Sequence, residues 1–167
     1  MTNLYHATPY DTSAPGFYFS TFDEFTERAA EHRNAHGEHV EEYEIQWIEG
    51  GGYALFHAIR VSQANLQSWF ETFEGLDEET TTKLVYLIDY LGYAPAEALD
   101  RRDHVQLFEG TAQEYAEQLL EDAGLLDALA EHVRSYFDTE AFARDLLLGG
   151  DITEISCVGR NWVVTSA

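Results

Sequence analysis

EGTAQEYAEQLLEDAGLLDALAEHVRSYFDTEAFARDLLLGG, Glu109 to Gly150, is the stretch on which the reading of this chain turns. Thr111 with Glu114 three residues on is a capping box, each side chain satisfying the other's backbone N–H. Tyr115 and Leu119 then point inward from a helix that Gly124 closes. Leu126, Leu129 and Val133 predict a second helix. Asp138 or Thr139 caps a third, with Phe142 and Leu146 inside and Gly149 and Gly150 as its stop. The outer faces are acidic. From Glu109 to Leu148 there are ten Asp or Glu against two Arg, Arg134 and Arg144, and no Lys, a formal balance of −8. A wet helix face ordinarily mixes signs, because opposite charges at i,i+4 support the helix and like charges oppose it. A function that needs a negative surface is one explanation of why this stretch does not; a salt-adapted composition is another.

Strand signals flank the helices. Asp103 or His104 to Glu109 reads as a strand, and Ile152–Val158 with Trp162–Thr165 as a closing hairpin around Gly159. Upstream, Leu66, Trp69 or Phe70, and Phe73 fall at helical spacing up to Gly75. Asp77, Glu78 and Glu79 crowd the start of the next helix, where carboxylates suit the dipole. Its core face is Leu84, Leu87, Ile88 and Leu91, Gly92 ends it, and Pro95 opens a short helical turn. The first third is mixed. Leu4–Ala7 and Gly16–Phe19 predict short strands, and Thr21 with Glu24 caps a helix that should fail near Gly37. Tyr43, Ile45 and Trp47 alternate with Glu42, Glu44 and Gln46 as in a half-buried strand. Gly50–Gly52 then turns the chain into a second hairpin strand, Tyr53–Ile59. The expected fold class is α+β, an elongated chain of three small units with short antiparallel sheets. These are a mixed unit over 1–61, a helical unit over 62–102, and a mixed unit over 103–167.

Composition limits the function. The chain has 167 residues, 45% hydrophobic and 14% aromatic, so it can bury a core and is no disordered acidic tail. Its net charge is −22, from 31 acidic and 9 basic residues, and Lys83 is the sole Lys. Such a surface repels nucleic acid and anionic membrane and steers toward basic surfaces. One cysteine, Cys157, forms no intrachain disulfide, and no apolar run approaches the ~18 residues of a membrane span. No signal peptide is read at the start, and the expectation is a soluble, cytoplasmic protein.

Catalytic and cofactor signals are not found. With 31 carboxylates, chance pairs forbid reading a glycosidase dyad. Gly50–Gly52 lacks the Lys and Ser/Thr of a phosphate loop. His32, His36 and His39 lack the Glu of a His-Glu-x-x-His motif, and Asp77–Glu79 and Asp100–Asp103 lack calcium-loop order. Cys157 sits in a predicted strand without a motif. Tyr86, Tyr90 and Tyr93 have no interleaved Lys or Arg and so read as packing rather than a base-stacking platform. The expectation is no enzyme, no metal and no cofactor.

The charge has a duplex-like density. B-DNA carries about one charge per ~1.7 Å of axis, so −22 corresponds to roughly 37 Å, or about 11 base pairs. A compact protein of this length is about 40 Å across.

Three segments carry a family resemblance: HVEEYEIQWIEG (His39–Gly50), HVQLFEGTAQEYAEQLLEDAG (His104–Gly124) and SYFDTEAFARDLLLGGDIT (Ser135–Thr153). The YFDTEAFARDL run is the strongest, with an aromatic, Asp, two residues, Ala, an aromatic, a small residue and Arg-Asp-Leu. In these segments, and in length, acidity and unit order, the chain resembles the ArdA family of antirestriction proteins over most of residues 39 to 153. The resemblance implies an elongated, curved mimic of bent duplex DNA. It implies a homodimer joined through the C-terminal unit, and occupation of the DNA groove of type I restriction–modification enzymes. Phe142, Arg144 and Asp145 match family positions and read as structural, with Arg144 pairing with Asp138 or Asp145. The phosphate-mimicking surface is assigned to Asp77, Glu78, Glu79, Glu114, Glu117, Glu121, Asp122, Asp127, Glu131 and Glu140, acting collectively. Two alternatives stay open. One is a DNA mimic aimed at another defence complex, such as a CRISPR effector. The other is an acidic, salt-adapted protein with no DNA-related role.

Overall fold

β1 (Leu4–Pro9) lies in the middle of a three-stranded antiparallel sheet, between β2 (Phe17–Phe19) and β3 (Tyr43–Glu49). The computed structural model describes residues 2–127, 129–134 and 136–166. The fold is α+β, with two three-stranded antiparallel sheets and short helices. The chain divides into two compact units, Met1–Thr81 and Thr82–Ala167.

In the first unit, alternation along β1 sends Tyr5 and Ala7 into the core, where both are fully buried. Tyr5 stands opposite Phe19 on one side and Trp47 on the other. Its ring stacks on Phe19 at 5.4 Å and meets Trp47 edge-on at 5.2 Å. α1 (Phe22–Glu31) starts as expected, with Thr21 Oγ1 accepting the Glu24 N–H. Glu24 does not complete the box, because its carboxylate accepts the Ser20 N–H instead, at 2.7 Å. The helix ends at His32, ahead of Gly37. There the backbone turns extended, and Arg33 bridges to His39. Asp11, in the loop after β1, gathers the Ser13 hydroxyl and N–H and the amide of Asn34 from this turn, which hold its carboxyl down at about 2.

Tyr53–Ile59 is not the returning strand of a hairpin; it is α2, a helix. Leu55, Phe56, Ala58 and Ile59 are buried, the i, i+1, i+3, i+4 spacing of one helical face. The Gly50–Gly52 segment therefore joins strand to helix. Gly50 has φ +121, and a Cβ there would collide with Asn3, so glycine is required. α3 (Leu66–Ser68) runs on into a π turn, Trp69–Phe73. Trp69 faces inward at 1% exposure while Phe70 is half-buried. The indole Nε1–H donates to the Tyr5 hydroxyl at 2.8 Å, and that hydroxyl donates to Glu74 Oε1 at 2.7 Å. Asn3 completes the network by donating to Glu74 and accepting the Gly51 N–H. Burial, first, and the Glu74 carboxylate, second, push the Tyr5 phenol well above its usual range.

α4 (Glu78–Val85) spans the division between the units and continues as a π turn, Tyr86–Tyr90. The second unit buries Leu84, Tyr86 and Leu87, leaves Ile88 half-buried, and exposes Leu91 and Tyr90, contrary to the expected core face and tyrosine packing. Tyr93 is half-buried beneath the Arg101 guanidinium, 4.6 Å from its ring. α5 (Pro95–Arg101) opens with Pro at its first turn, and β4 (Val105–Glu109) follows. Then come α6 (Ala112–Asp122), α7 (Glu131–Arg134), α8 (Thr139–Gly149), β5 (Thr153–Cys157) and β6 (Arg160–Ser166). The sheet order is β4-β6-β5. Cys157 is buried in β5 as expected of a strand residue. The helix expected over Leu126–Val133 is reduced to α7, with Val133 exposed; Ala128, within that span, lies outside the described residues.

Val158 and Gly159 form the two-residue turn of the closing hairpin, at φ 52 and 75. Both positive values mark a type I′ turn, which favours Asn-Gly, whereas a β-branched residue is strained there. Val158 is half exposed and packs little. Val158→Asn is expected to stabilise the protein by about 1 kcal/mol, seen as a higher urea midpoint at unchanged slope.

Candidate functional site

The capping box at Thr111 is complete. Thr111 Oγ1 accepts the Glu114 N–H, and Glu114 Oε2 accepts the Thr111 N–H at 2.8 Å. A second carboxylate reinforces it, Glu154 Oε1 accepting the Ala112 N–H at 2.6 Å. α6 is thus anchored at its start. Its inner face is Ala112, Ala116 and Leu120; Tyr115, half-buried, packs as expected against the core cluster these alanines join, while Leu119, also expected inward, is only half-buried. The alanines meet Ala143 of α8 in a cluster with Ile152 and Val163. Phe142 and Leu146 pack around it, as expected.

With that face fixed, Glu114, Glu117, Glu121 and Asp122 are all exposed. They span about 12 Å of helix rise, or about one charge per 4 Å, against one per ~3.4 Å along one strand of a duplex. α6 itself has no Lys or Arg. Gln113 donates to Glu117 and Gln118 to Asp122, at 3.1 and 2.8 Å, so neutral amides steady the carboxylates without cancelling them.

The other assigned residues differ among themselves. Asp127 lines a cleft of about 420 Å3 with Glu117, Glu121 and Thr139. There it is bound to Arg134 at 3.2 Å, and this offsets its charge. Glu131 on α7 and Glu140 in the first turn of α8 are exposed; beside Glu140, Asp138 accepts the Ala141 N–H as the N-cap. Arg144 pairs with Asp145, at 3.6 Å on the surface. Ser135, at the start of the resembling run, lies outside the described residues. Asp77 accepts both the N–H and the hydroxyl of Thr80 ahead of α4. Glu79 is exposed and Glu78 half-buried. Asp77, Glu78 and Glu79 belong to the first unit and the other seven to the second.

Asp77 and Glu114 therefore hold helix ends as well as charge. The backbone N–H and hydroxyl of Thr80 hold the Asp77 carboxyl below its ordinary value, and those of Thr111 do the same for Glu114. A lowered folded value means that each contribution is fully present above the unfolded value and is lost as pH falls through the folded one. Thr111→Ala is expected to cost about 1 kcal/mol at neutral pH. The gap from the parent in urea unfolding should shrink between about pH 6 and about pH 3. Glu117→Gln, which breaks no cap, should shift stability by less than about 0.5 kcal/mol.

The sequence reading missed acids of the first unit. Asp23, Glu27 and Glu31 form an exposed i,i+4 row along α1, and Glu41, Glu42, Glu44 and Glu49 are exposed at and before β3. Their spacing was the available signal. The histidines are engaged singly: His32 Nδ1 with the Tyr43 hydroxyl at 2.9 Å, and His39 Nε2 with the Ala29 carbonyl at 3.1 Å.

Carboxylates fixed on short helices over two small sheets define an acidic α+β protein whose distinctive feature is a charged surface. Residues 10–157 match the family model described as antirestriction protein (ArdA), and the chain belongs to that family. No curated relative matches it. Among the described residues, no helix is long and apolar enough to cross a membrane.

Proposed function

We propose that the protein inhibits type I restriction–modification enzymes by occupying their DNA-binding groove, its carboxylates standing where DNA phosphates bind. The observation that carries this reading is the outer face of α6, whose acids form no ion pair among the described residues and follow the helix axis nearly as closely as the phosphates of one strand follow the duplex axis. Family membership supplies the antirestriction context. The surface comprises the exposed members of the assigned set, with Glu117, Glu121 and Asp122 at its centre. No residue is assigned a catalytic role, and the site of action is the cytoplasm, where the target enzyme meets incoming DNA. The protein acts as a homodimer through residues 103–167, where Tyr136 and Leu148 are the most exposed large apolar side chains, at 85% and 79%.

The test is competition. Labelled duplex with a recognition site is bound to the methyltransferase core, and the protein is titrated in at two salt concentrations. Displacement near stoichiometry, weakening by at least about tenfold from about 50 to about 200 mM salt, is the expected result. Displacement that ignores salt would sink electrostatic mimicry. No displacement by folded protein would remove this enzyme class and leave another defence complex, or salt adaptation, as the meaning of the charge.

A further inference from the structure

We propose that the free edge of β3 is a docking site for an extended, basic segment of a protein partner, which joins the first sheet as an added strand. β3 is the terminal strand of the order β2-β1-β3. The register fixes which backbone groups face outward. Tyr10 N–H donates to the Glu42 carbonyl at 3.1 Å, and Thr8 and His6 stand opposite Glu44 and Gln46. In an antiparallel pair hydrogen-bonded and non-bonded positions alternate, so Glu42, Glu44 and Gln46 bond toward β1. Tyr43, Ile45 and Trp47 then turn their N–H and C=O outward. Pro9, which has no N–H, stands opposite Tyr43, as that parity requires.

The start of this edge already holds a peptide-like group. The Gln63 side-chain amide accepts the Tyr43 N–H and donates to the Glu41 carbonyl, both at 2.9 Å. These are the two bonds that one residue of an added parallel strand makes. Past Gln63 the edge runs on, and among the described residues none bonds to the outward backbone groups of Ile45 or Trp47. A cleft of about 560 Å3 follows it, with Glu44, Ile45 and Trp47 on one side and Tyr53, Phe56 and His57 of α2 on the other, and with Arg60, the C-cap of α2, as the cation in its lining. Strand edge, flanking helix and open cleft together are the geometry of strand addition.

Charge selects the occupant. Glu42 and Glu44 are exposed, two residues apart on one face of β3. An added strand places its own side chains about 5 Å away across that face. Lys or Arg at alternate positions meets these carboxylates, and the intervening residues turn toward Trp47 and the exposed Tyr53 ring. A second copy of this chain would bring carboxylate against carboxylate, which opposes pairing. This inference does not depend on DNA mimicry.

The experiment uses the full chain and a blocked peptide of about eight alternating lysines and valines. Amide exchange is followed by NMR with and without peptide. The expected result is at least about tenfold slower exchange at Ile45 and Trp47. The same peptide N-methylated at alternate nitrogens should bind at least about tenfold more weakly, and Glu42→Lys/Glu44→Lys should lose the protection while staying folded. Equal binding of the N-methylated peptide means attraction by charge alone and overturns the proposal. So does binding that leaves Ile45 and Trp47 unprotected, or no binding at all. Protection that rises with protein concentration, without peptide, assigns the edge to a second copy and overturns it equally.

Discussion

Glu117→Gln, Glu121→Gln and Asp122→Asn, combined, are expected to weaken binding to a type I methyltransferase core by about 30-fold, and each alone by only about threefold. The asymmetry follows from what these residues do locally. They cap nothing, and all three are exposed on a helix whose inner face is elsewhere. Their loss should leave unfolding nearly unchanged, so the effect on binding reads the surface and not the fold. The salt dependence gives an independent measure. If each carboxylate occupies a phosphate position, the slope of log K against log salt falls by about one for each one removed. The measurement is the competition titration repeated at several salt concentrations. A triple variant that competes as well as the parent, with the same slope, would place the contact surface away from α6. Glu114 is left out of the set because its removal would also open the Thr111 cap.

Tyr5→Phe is expected to destabilise the protein by about 2 to 3 kcal/mol, although it deletes one oxygen. That oxygen accepts from Trp69 Nε1–H and Asn3 and donates to Glu74. The phenylalanine ring would keep the packing on Phe19 and Trp47, so little apolar burial is lost. What remains is an indole N–H without its acceptor, in a residue 1% exposed, and a carboxylate that keeps only Asn3 from this network. Unmade bonds in a buried network cost more than formed ones contribute. Urea unfolding followed by tryptophan fluorescence measures the change. A loss below about 0.5 kcal/mol would mean that water satisfies these groups and that the network is not structural.

Local chemistry was the most readable part of the sequence. Thr111 and Glu114, Pro95, Asp138 and Gly150 each act within four residues of themselves, and the helices begin and end where they indicate. Period-2 alternation likewise placed Tyr43 and Ile45 inward in β3. Errors arose where identity depends on distant partners. Tyr53–Ile59 is a short apolar run after glycines, which reads equally as strand or helix until its packing against Trp47 is known. On α6 Tyr115 does pack against the core cluster as expected, but Leu119 is only half-buried and is not part of it. The real contact is between small residues, a choice made by the helix on the other side. Of the proposed surface, exposure was legible from the run of acids itself. Two facts were not: Asp127 meets an Arg seven residues on across a turn, and Asp77 is engaged by the N–H and hydroxyl of Thr80. The rows on α1 and β3 were visible in spacing but were passed over in favour of the densest stretch.

The alanines between α6 and α8 bear on how such a protein evolves. Methyl groups meeting methyl groups constrain only the inward positions and ask nothing of the opposite face. Away from the Thr111–Glu114 cap, substitutions on that outer face are then nearly silent for folding. Lineages can exchange Glu for Asp, shift an acid by one position or add another without first acquiring compensating changes in the interior. A protein locked in an arms race gains from that separation: its exterior can follow a changing adversary while the scaffold beneath is inherited intact.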